Sequence, residues 1–334
     1  MIWILWHRRI GDLNQMQDLA NALGLPFVVK KLQFRKPHYA PLARLSEGAD
    51  SLDGPWPELI LCAEALTSVI ARKLKKQAAG KIKIVSLARP SGDVRNFDLV
   101  LTTAQYRLPK LPHVVELMLP LTAAPPQAPK EKSNTLTVLI GASSPPEVLD
   151  ADVAGKMAAD ILAYATDRKL ILNVVTSPRT SPAVAQIFVD AIAAPHPVFI
   201  WTADSENLYQ KCLADAAEII VTSDSVSMLA DGLAARKPVQ VYRLPRRFTG
   251  LQNVVEWIFQ RWPESFIFRS GIVEPATDRW LLVDRLVAKK YVCWFGEDQK
   301  PIHVFDPLQD IDAAVTAIQE LISPSRLANA RTSG

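Results

Sequence analysis

Apolar and polar positions alternate along this chain in blocks that read as a parallel α/β protein. Residues 2–6 form an apolar run of strand length. The segment His7-Arg8-Arg9-Ile10-Gly11-Asp12-Leu13-Asn14-Gln15 follows, then a helical spacing of Met16, Leu19, Ala20 and Leu23 that stops at Gly24 before Pro26. Residues 27–29 make a second short strand. Residues 33–57 are irregular and rich in Pro, Arg and aromatics, a long loop of the kind that is often functional. Strands at 59–63, 82–87 and 99–102, with a basic amphipathic helix at 66–77, complete a first α/β lobe with parallel strands.

The periodicity stops at 123–134, a Pro-rich, charged stretch that reads as an interdomain linker, and then restarts. Strands are predicted at 136–140, 170–175, 198–201, 219–221 and 239–242, and helices at 153–166, 184–192, 207–214 and 226–235. Residues 267–281 read as loop and 294–306 as mixed. A closing amphipathic helix at 311–322 packs either across the lobe junction or on its own domain's face. The predicted division is a lobe at 1–122, a linker, a second lobe at 135–306, and a helix and tail at 307–334.

Composition narrows the class. A length of 334 residues fits two domains of roughly 100–200 residues each, and 49% hydrophobic with 22% charged residues excludes wholesale disorder. A net charge of +4 is too mild to argue for nucleic acid, and no nucleic-acid partner is expected. Cys62, Cys212 and Cys293 lie far apart in apolar company, as reduced core residues of a cytosolic protein do. The five histidines (7, 38, 113, 196 and 303) are scattered, so neither a metal site nor a cofactor is expected. The apolar start is six residues long, too short for a signal peptide or a span, and no later run reaches the roughly 18 residues a span needs. The expected location is cytoplasmic, with room for peripheral contact at the inner membrane.

Candidate chemistry sits at strand ends. Gly11 permits φ > 0 or a close ligand approach, and Asp12 offers either a general base toward a hydroxyl or a helix N-cap; spacing alone favours the cap. Gly141, Ser143 and Ser144 let a backbone approach a phosphate, although no GK[ST] follows to make a P-loop. Ser177, Arg179 and Thr180 put a guanidinium beside hydroxyls, suited to a diphosphate or simply solvated. Ser223, Ser225, Val226 and Ser227 surround the start of a helix whose positive end would receive phosphate, with Asp231 one turn further on for a ribose diol. On the alternative reading Asp224 caps that helix and Asp231 is only solvated. Together the set fits a nucleotide-diphosphate donor in the second lobe and an acceptor in the first.

The segments GDLNQMQDLANALGLP at 11–26, FDLVLTTAQYRLPKLPHV at 97–114, VVTSPRTSP at 174–182 and VTSDSVSMLADGLAARKPV at 221–239 resemble the Elm-type mitochondrial-fission family, whose bacterial members look like GT-B glycosyltransferases. Residues 216–239 are also similar in layout to the donor-site turn and helix of the peptidoglycan GlcNAc transferase MurG, where an acidic residue at the position of Asp231 holds the ribose. The family usually has Glu at Asp231, Arg at Pro178 and a small Gly at Arg236.

The resemblance implies two Rossmann-like lobes facing each other across a cleft. It also implies a metal-independent glycosyltransferase of cell-envelope biogenesis, which takes a nucleotide-sugar donor and a glycan or lipid-linked acceptor. Asp12 would be the catalytic base, with Gly11, Asn14 and Gln15 on the acceptor side. The alternatives are a non-catalytic scaffold or division-type factor, and a nucleotide-sugar epimerase. Lys30, Lys31, Arg35, Lys36, Arg72, Lys73, Lys75 and Lys76 form either a basic face toward anionic lipid or an ordinary solvated surface.

Overall fold

In the first strand, β1 (Ile2–Trp6), Ile2 and Ile4 enter one hydrophobic core while Trp3 and Leu5 enter another. Such alternation requires helices on both sides of the sheet. The computed structural model describes residues 1–35, 43–63, 65–121, 133–192, 196–202, 206–297 and 301–331. Lys36 and most of the linker read at 123–134 lie outside the described residues. Six parallel strands, β1, β2 (Phe27–Lys31), β3 (Leu59–Cys62), β4 (Lys83–Leu87), β5 (Leu99–Thr103) and β6 (Val114–Leu117), join in the order β2-β1-β3-β4-β5-β6. Helix α1 (Ile10–Ala22) places Met16, Leu19 and Ala20 against Ile2, Ile4, Leu59 and Leu61. Helix α2 (Ala65–Gln77) buries Leu66, Val69, Ile70 and Leu74 on the opposite face.

The second sheet is built the same way. Strands β7 (Thr135–Ile140), β8 (Ile171–Thr176) and β9 (Val198–Phe199) run outward in one direction. The chain then crosses back to β10 (Glu218–Thr222), β11 (Val239–Tyr242) and β12 (Cys293–Trp294), giving the order β12-β11-β10-β7-β8-β9, all parallel. Helix α3 (Ala151–Arg168) starts where the Asp150 carboxylate accepts from Val153 N, and α4 (Pro182–Ala191) where Ser181 Oγ accepts from Val184 N, with Pro182 opening the helix. Both cover one face through Met157, Ile161 and Phe188. Helices α5 (Glu206–Asp215) and α6 (Val226–Ala234) also belong to this unit. The order reverses between β7 and β10, and ligands in open α/β sheets bind outside the strand carboxyl ends at such a reversal.

By contacts the chain divides into one unit of Met1–Ala123, Val254–Pro275 and Leu308–Gly334 and another of Ala124–Asn253 and Ala276–Pro307. Residues 254–275, inside the span read as the second lobe, therefore make their contacts with the first. The periodicity overlooked β6, β12 and α7 (Gly250–Arg261). Where a loop was expected at 267–281, the chain instead forms the short α8 (Phe266–Arg269) and the start of α9 (Arg279–Ala288). Helix α7 hides from a hydropathy reading because its pattern is inverted. Val254 and Trp257 are 54% and 60% exposed, whereas Glu256 is buried, held by both terminal nitrogens of Arg107 at 2.8 Å. The closing helix α10 (Leu308–Arg331) buries Ile311, Ala314 and Ile318 in the core of the first unit.

Candidate functional site

Three turns leave neighbouring strands of the second sheet at their carboxyl ends: 141–144 after β7, 177–181 after β8 and 223–225 after β10. Side chains stitch them together. Asp224 is 3% exposed, and its carboxylate accepts from Ala142 N at 2.8 Å and from Thr222 Oγ1 at 2.7 Å. Thr222 Oγ1 also accepts from Gly141 N at 2.8 Å. From the other side, Thr180 Oγ1 donates to Gly141 O at 2.6 Å and Ser177 Oγ lies 3.4 Å from the same carbonyl. Arg179 spans the set, with Nη1 donating to Ser144 Oγ at 2.7 Å and Nη2 reaching Asp224 at 3.4 Å. Burial pushes the Asp224 carboxyl above its ordinary value, against the opposing pull of Ala142 N–H, Thr222 and the Arg179 guanidinium.

The sequence-derived donor set divides accordingly. Gly141, Ser144, Ser177, Arg179 and Thr180 converge, together with Thr222 and Asp224. Ser143 turns to Leu149, accepting from its N–H at 2.8 Å. Asp224 is not the helix cap that the sequence allowed: its carboxylate is spent on the neighbouring turn, and Ser225 occupies the N-cap of α6 without a side-chain cap bond. Val226 and Ser227 begin that helix, and Ser227 is exposed. Ser223 Oγ accepts from Leu244 N at 3.1 Å, a structural bond. Asp231 joins none of these contacts; Tyr209 Oη on α5 donates to it at 2.7 Å. Burial raises the Asp231 carboxyl, and burial together with the Asp231 charge raises the Tyr209 hydroxyl well above its usual range.

A second polar cluster beside these turns was not read from the sequence. Glu147 is fully buried, accepts from Arg279 Nη1 at 2.5 Å and lies 3.4 Å from Arg246 Nη2. Arg279 also donates to Ser144 O at 3.1 Å, which links the cluster to the Arg179 turn. Burial outweighs the two guanidinium groups and raises the Glu147 carboxyl. The signal in the sequence was the run Arg243, Arg246 and Arg247 after β11, where guanidinium groups stack on Trp280 and Trp294.

The first unit carries its own candidate site at the ends of β1, β3, β4, β5 and β6. Asp12, Gln15, Thr102, Thr103, Gln105 and Tyr106 line a cavity of about 60 Å³ whose walls include leucines from β4, β5 and β6. Asp12 is not an N-cap. Helix α1 begins at Ile10 with Arg9 in the cap position, which puts Asp12 in the first turn, where a helix favours negative charge. Gly11 is helical and exposed, so the positive φ invoked for it is not realised. Gln15 donates to Gly11 O at 3.3 Å, and Asn14 is exposed. Thr103 and Gln105 were quoted within a family segment but not singled out.

Two doubly wound parallel sheets define a GT-B fold. Among solved structures, the chain is similar to a protein from Listeria monocytogenes described as a UDP-N-acetylglucosamine 2-epimerase, with TM-score 0.52 and 10% identity over 97% of this chain and 96% of that one. It is also similar to the UDP-GlcNAc 2-epimerase of Neisseria meningitidis bound to UDP-GlcNAc, with TM-score 0.50 and 11% identity over 96% and 99%. A UDP-glucosyltransferase from Polygonum tinctorium aligns with TM-score 0.45 and 9% identity over 96% and 92%. Comparison with curated proteins returns no match. The chain belongs to the mitochondrial fission ELM1 family, whose sequence model matches residues 10–261.

Proposed function

We propose that this protein is a glycosyltransferase that takes a sugar from a nucleotide diphosphate donor, bound at the β7, β8 and β10 strand ends, to a glycan or lipid-linked acceptor. The observation that carries this reading is Arg179. Its guanidinium is half exposed and anchored on Ser144 after β7 and on Asp224 after β10, and Asp224 directly precedes Ser225, the N-cap of α6, which makes no side-chain cap bond. A leaving diphosphate there meets a fixed cation and helix N–H groups, which stabilise its charge without a metal. Asp231, on the second turn of α6, is the ribose partner in this reading, exchanging its Tyr209 bond for a diol. Asp12 is the base for an acceptor hydroxyl. UDP-GlcNAc, the ligand of the Neisseria structure, makes UDP-sugars the first donors to test.

The experiment is saturation-transfer NMR and thermal-shift screening against UDP-, GDP-, ADP- and CMP-sugars. Wild type is expected to be stabilised by at least one of them, and Arg179→Ala and Asp231→Ala to lose that stabilisation. No response to any nucleotide would sink the reading. Both epimer ratio and transfer should be followed, because two neighbours at TM-score 0.50 or above, from Listeria and Neisseria, are named as 2-epimerases. Inversion at the donor sugar with no acceptor present would replace transfer by epimerisation, and binding without turnover would point to a scaffold.

A further inference from the structure

We propose that the outward face of α7 and α8 is a surface on which a second copy of this chain docks about a two-fold axis, with Trp257, Trp262 and Phe266 at its centre. The inference is independent of the glycosyltransferase reading. The whole patch lies within residues 254–275 of the first unit. Val254, Trp257, Trp262, Phe266 and Ile272 are 54%, 60%, 53%, 69% and 68% exposed. Val254 and Trp257 share one face of α7. Trp262 packs edge-on against Trp257 with ring centroids 6.0 Å apart, and Phe266 opens α8 one turn further along the chain.

The inward side of the same segment is fastened. Glu256 is buried and held by Arg107 through two bonds of 2.8 Å. The Phe259 ring centroid lies 4.7 Å from the Arg107 guanidinium and 5.0 Å from the Phe268 ring. A Cβ built on Gly271 would stand 2.4 Å from Gly92 O, so the chain after α8 sits directly on the turn that follows β4. The outward rings are therefore held in place before a partner arrives, which lowers the ordering cost of binding.

Area and charge select the occupant. The three aromatic side chains, at about 150–250 Å² each when fully exposed, leave roughly 300–450 Å² of apolar surface in water. A standard interface takes about 800 Å² from each partner, with an apolar centre and a polar rim, so the rings supply about half of it. Val254, Ile272, Gln260, Arg261 and Glu264, all exposed, are available for the rest. With Glu256 consumed by Arg107, the remaining charges of the segment are Arg261, Glu264, Arg269 and Glu274, which alternate in sign and cancel. An anionic membrane selects a net positive face, and a charged partner selects the opposite charge. A neutral face of alternating sign is complementary to itself. Two-fold contacts are reciprocal, so an axis beside Trp262 sets Arg261 against Glu264 of the second copy and repeats that pair on its other side.

The test is sedimentation velocity on the full chain across a wide concentration range, with wild type expected to dimerise reversibly. Trp257→Ala and Trp262→Ala should each weaken the dimer about 30-fold or more, the effect of losing an interface hot spot. Arg261→Glu and Glu264→Arg should each weaken it about tenfold or more by setting like charges opposite each other. The exchanged pair, Arg261→Glu with Glu264→Arg, should restore wild-type affinity, which separates a contact across the axis from a loss of folding. Flotation with vesicles of phosphatidylcholine and phosphatidylglycerol is the second arm. A monomer at every concentration, a monomer that floats with the vesicles, a dimer that none of the single variants weakens, or an exchanged pair as weak as the single variants would each overturn the proposal.

Discussion

Arg179 and Asp224 meet at 3.4 Å beside the end of β7, yet the Asp224 side chain is 0% exposed and the Arg179 side chain 52%. The carboxylate is turned inward by Ala142 N–H and Thr222, and the guanidinium keeps a solvent-facing side. The pair therefore divides its labour between holding the turns and meeting a ligand.

That division predicts a split between two variants. Arg179→Ala should leave stability within about 0.5 kcal/mol, as half-exposed ion pairs usually do. It should weaken nucleotide-diphosphate binding about 10- to 100-fold, the worth of a charged hydrogen bond. Asp224→Ala should destabilise by roughly 2–4 kcal/mol because it strands two buried donors. Calorimetric melts beside titration calorimetry with UDP would check both.

Gly141 makes room for Asp224. A Cβ built there would stand 2.2 Å from Asp224 Oδ1. Gly141→Ala should therefore cost about 1–3 kcal/mol through overpacking. Combined with Asp224→Ala, it should cost clearly less than the sum of the two, since the clash disappears with the carboxylate. Additive melts for the double variant would refute the contact.

Asp231 sets a pH dependence. Burial raises its folded-state carboxyl above the ordinary 3.8. The sign follows: the unfolded chain releases this proton first, so the stability linked to Asp231 is complete below 3.8 and is lost as pH rises through the higher folded value. Asp231→Asn keeps an acceptor for Tyr209 and removes the titration. Its stability relative to wild type should therefore be greater at neutral pH than at acid pH, as denaturant melts across that range would show.

The Arg107–Glu256 pair, 12% exposed on each side, should behave as a buried ion pair. Glu256→Gln or Arg107→Met alone should cost about 3–5 kcal/mol by breaking a buried, doubly hydrogen-bonded charge pair. The double variant should recover much of that loss. Urea unfolding of the four-member cycle would measure the coupling, and additivity would show that the pair is uncoupled.

Much of the scaffold was legible because buried parallel strands read as apolar runs and the helices between them keep a helical apolar spacing. The three turns were found for the same reason: polar residues must follow each run. What hydropathy concealed is α7, where Trp257 faces solvent and Glu256 faces the protein. Gly141 misled in a different way. Its missing side chain was read as room for phosphate, whereas the occupant of that room is a carboxylate from 83 positions later in the chain (224 − 141). Thr103 and Gln105 carried no periodic or spacing signal; only the cavity sets them apart.

Asp310 at the start of α10 accepts from Met118 N and Leu119 N at 2.9 Å each, contacts spanning 192 and 191 residues. At roughly 5–20 residues per second, a ribosome needs on the order of 10–40 seconds to travel that distance. The strands made first must therefore wait, one face covered by α1 alone, while the entire second sheet is synthesised. Synthesis of α10, and not the emergence of the first half, is the event that completes the first unit's core.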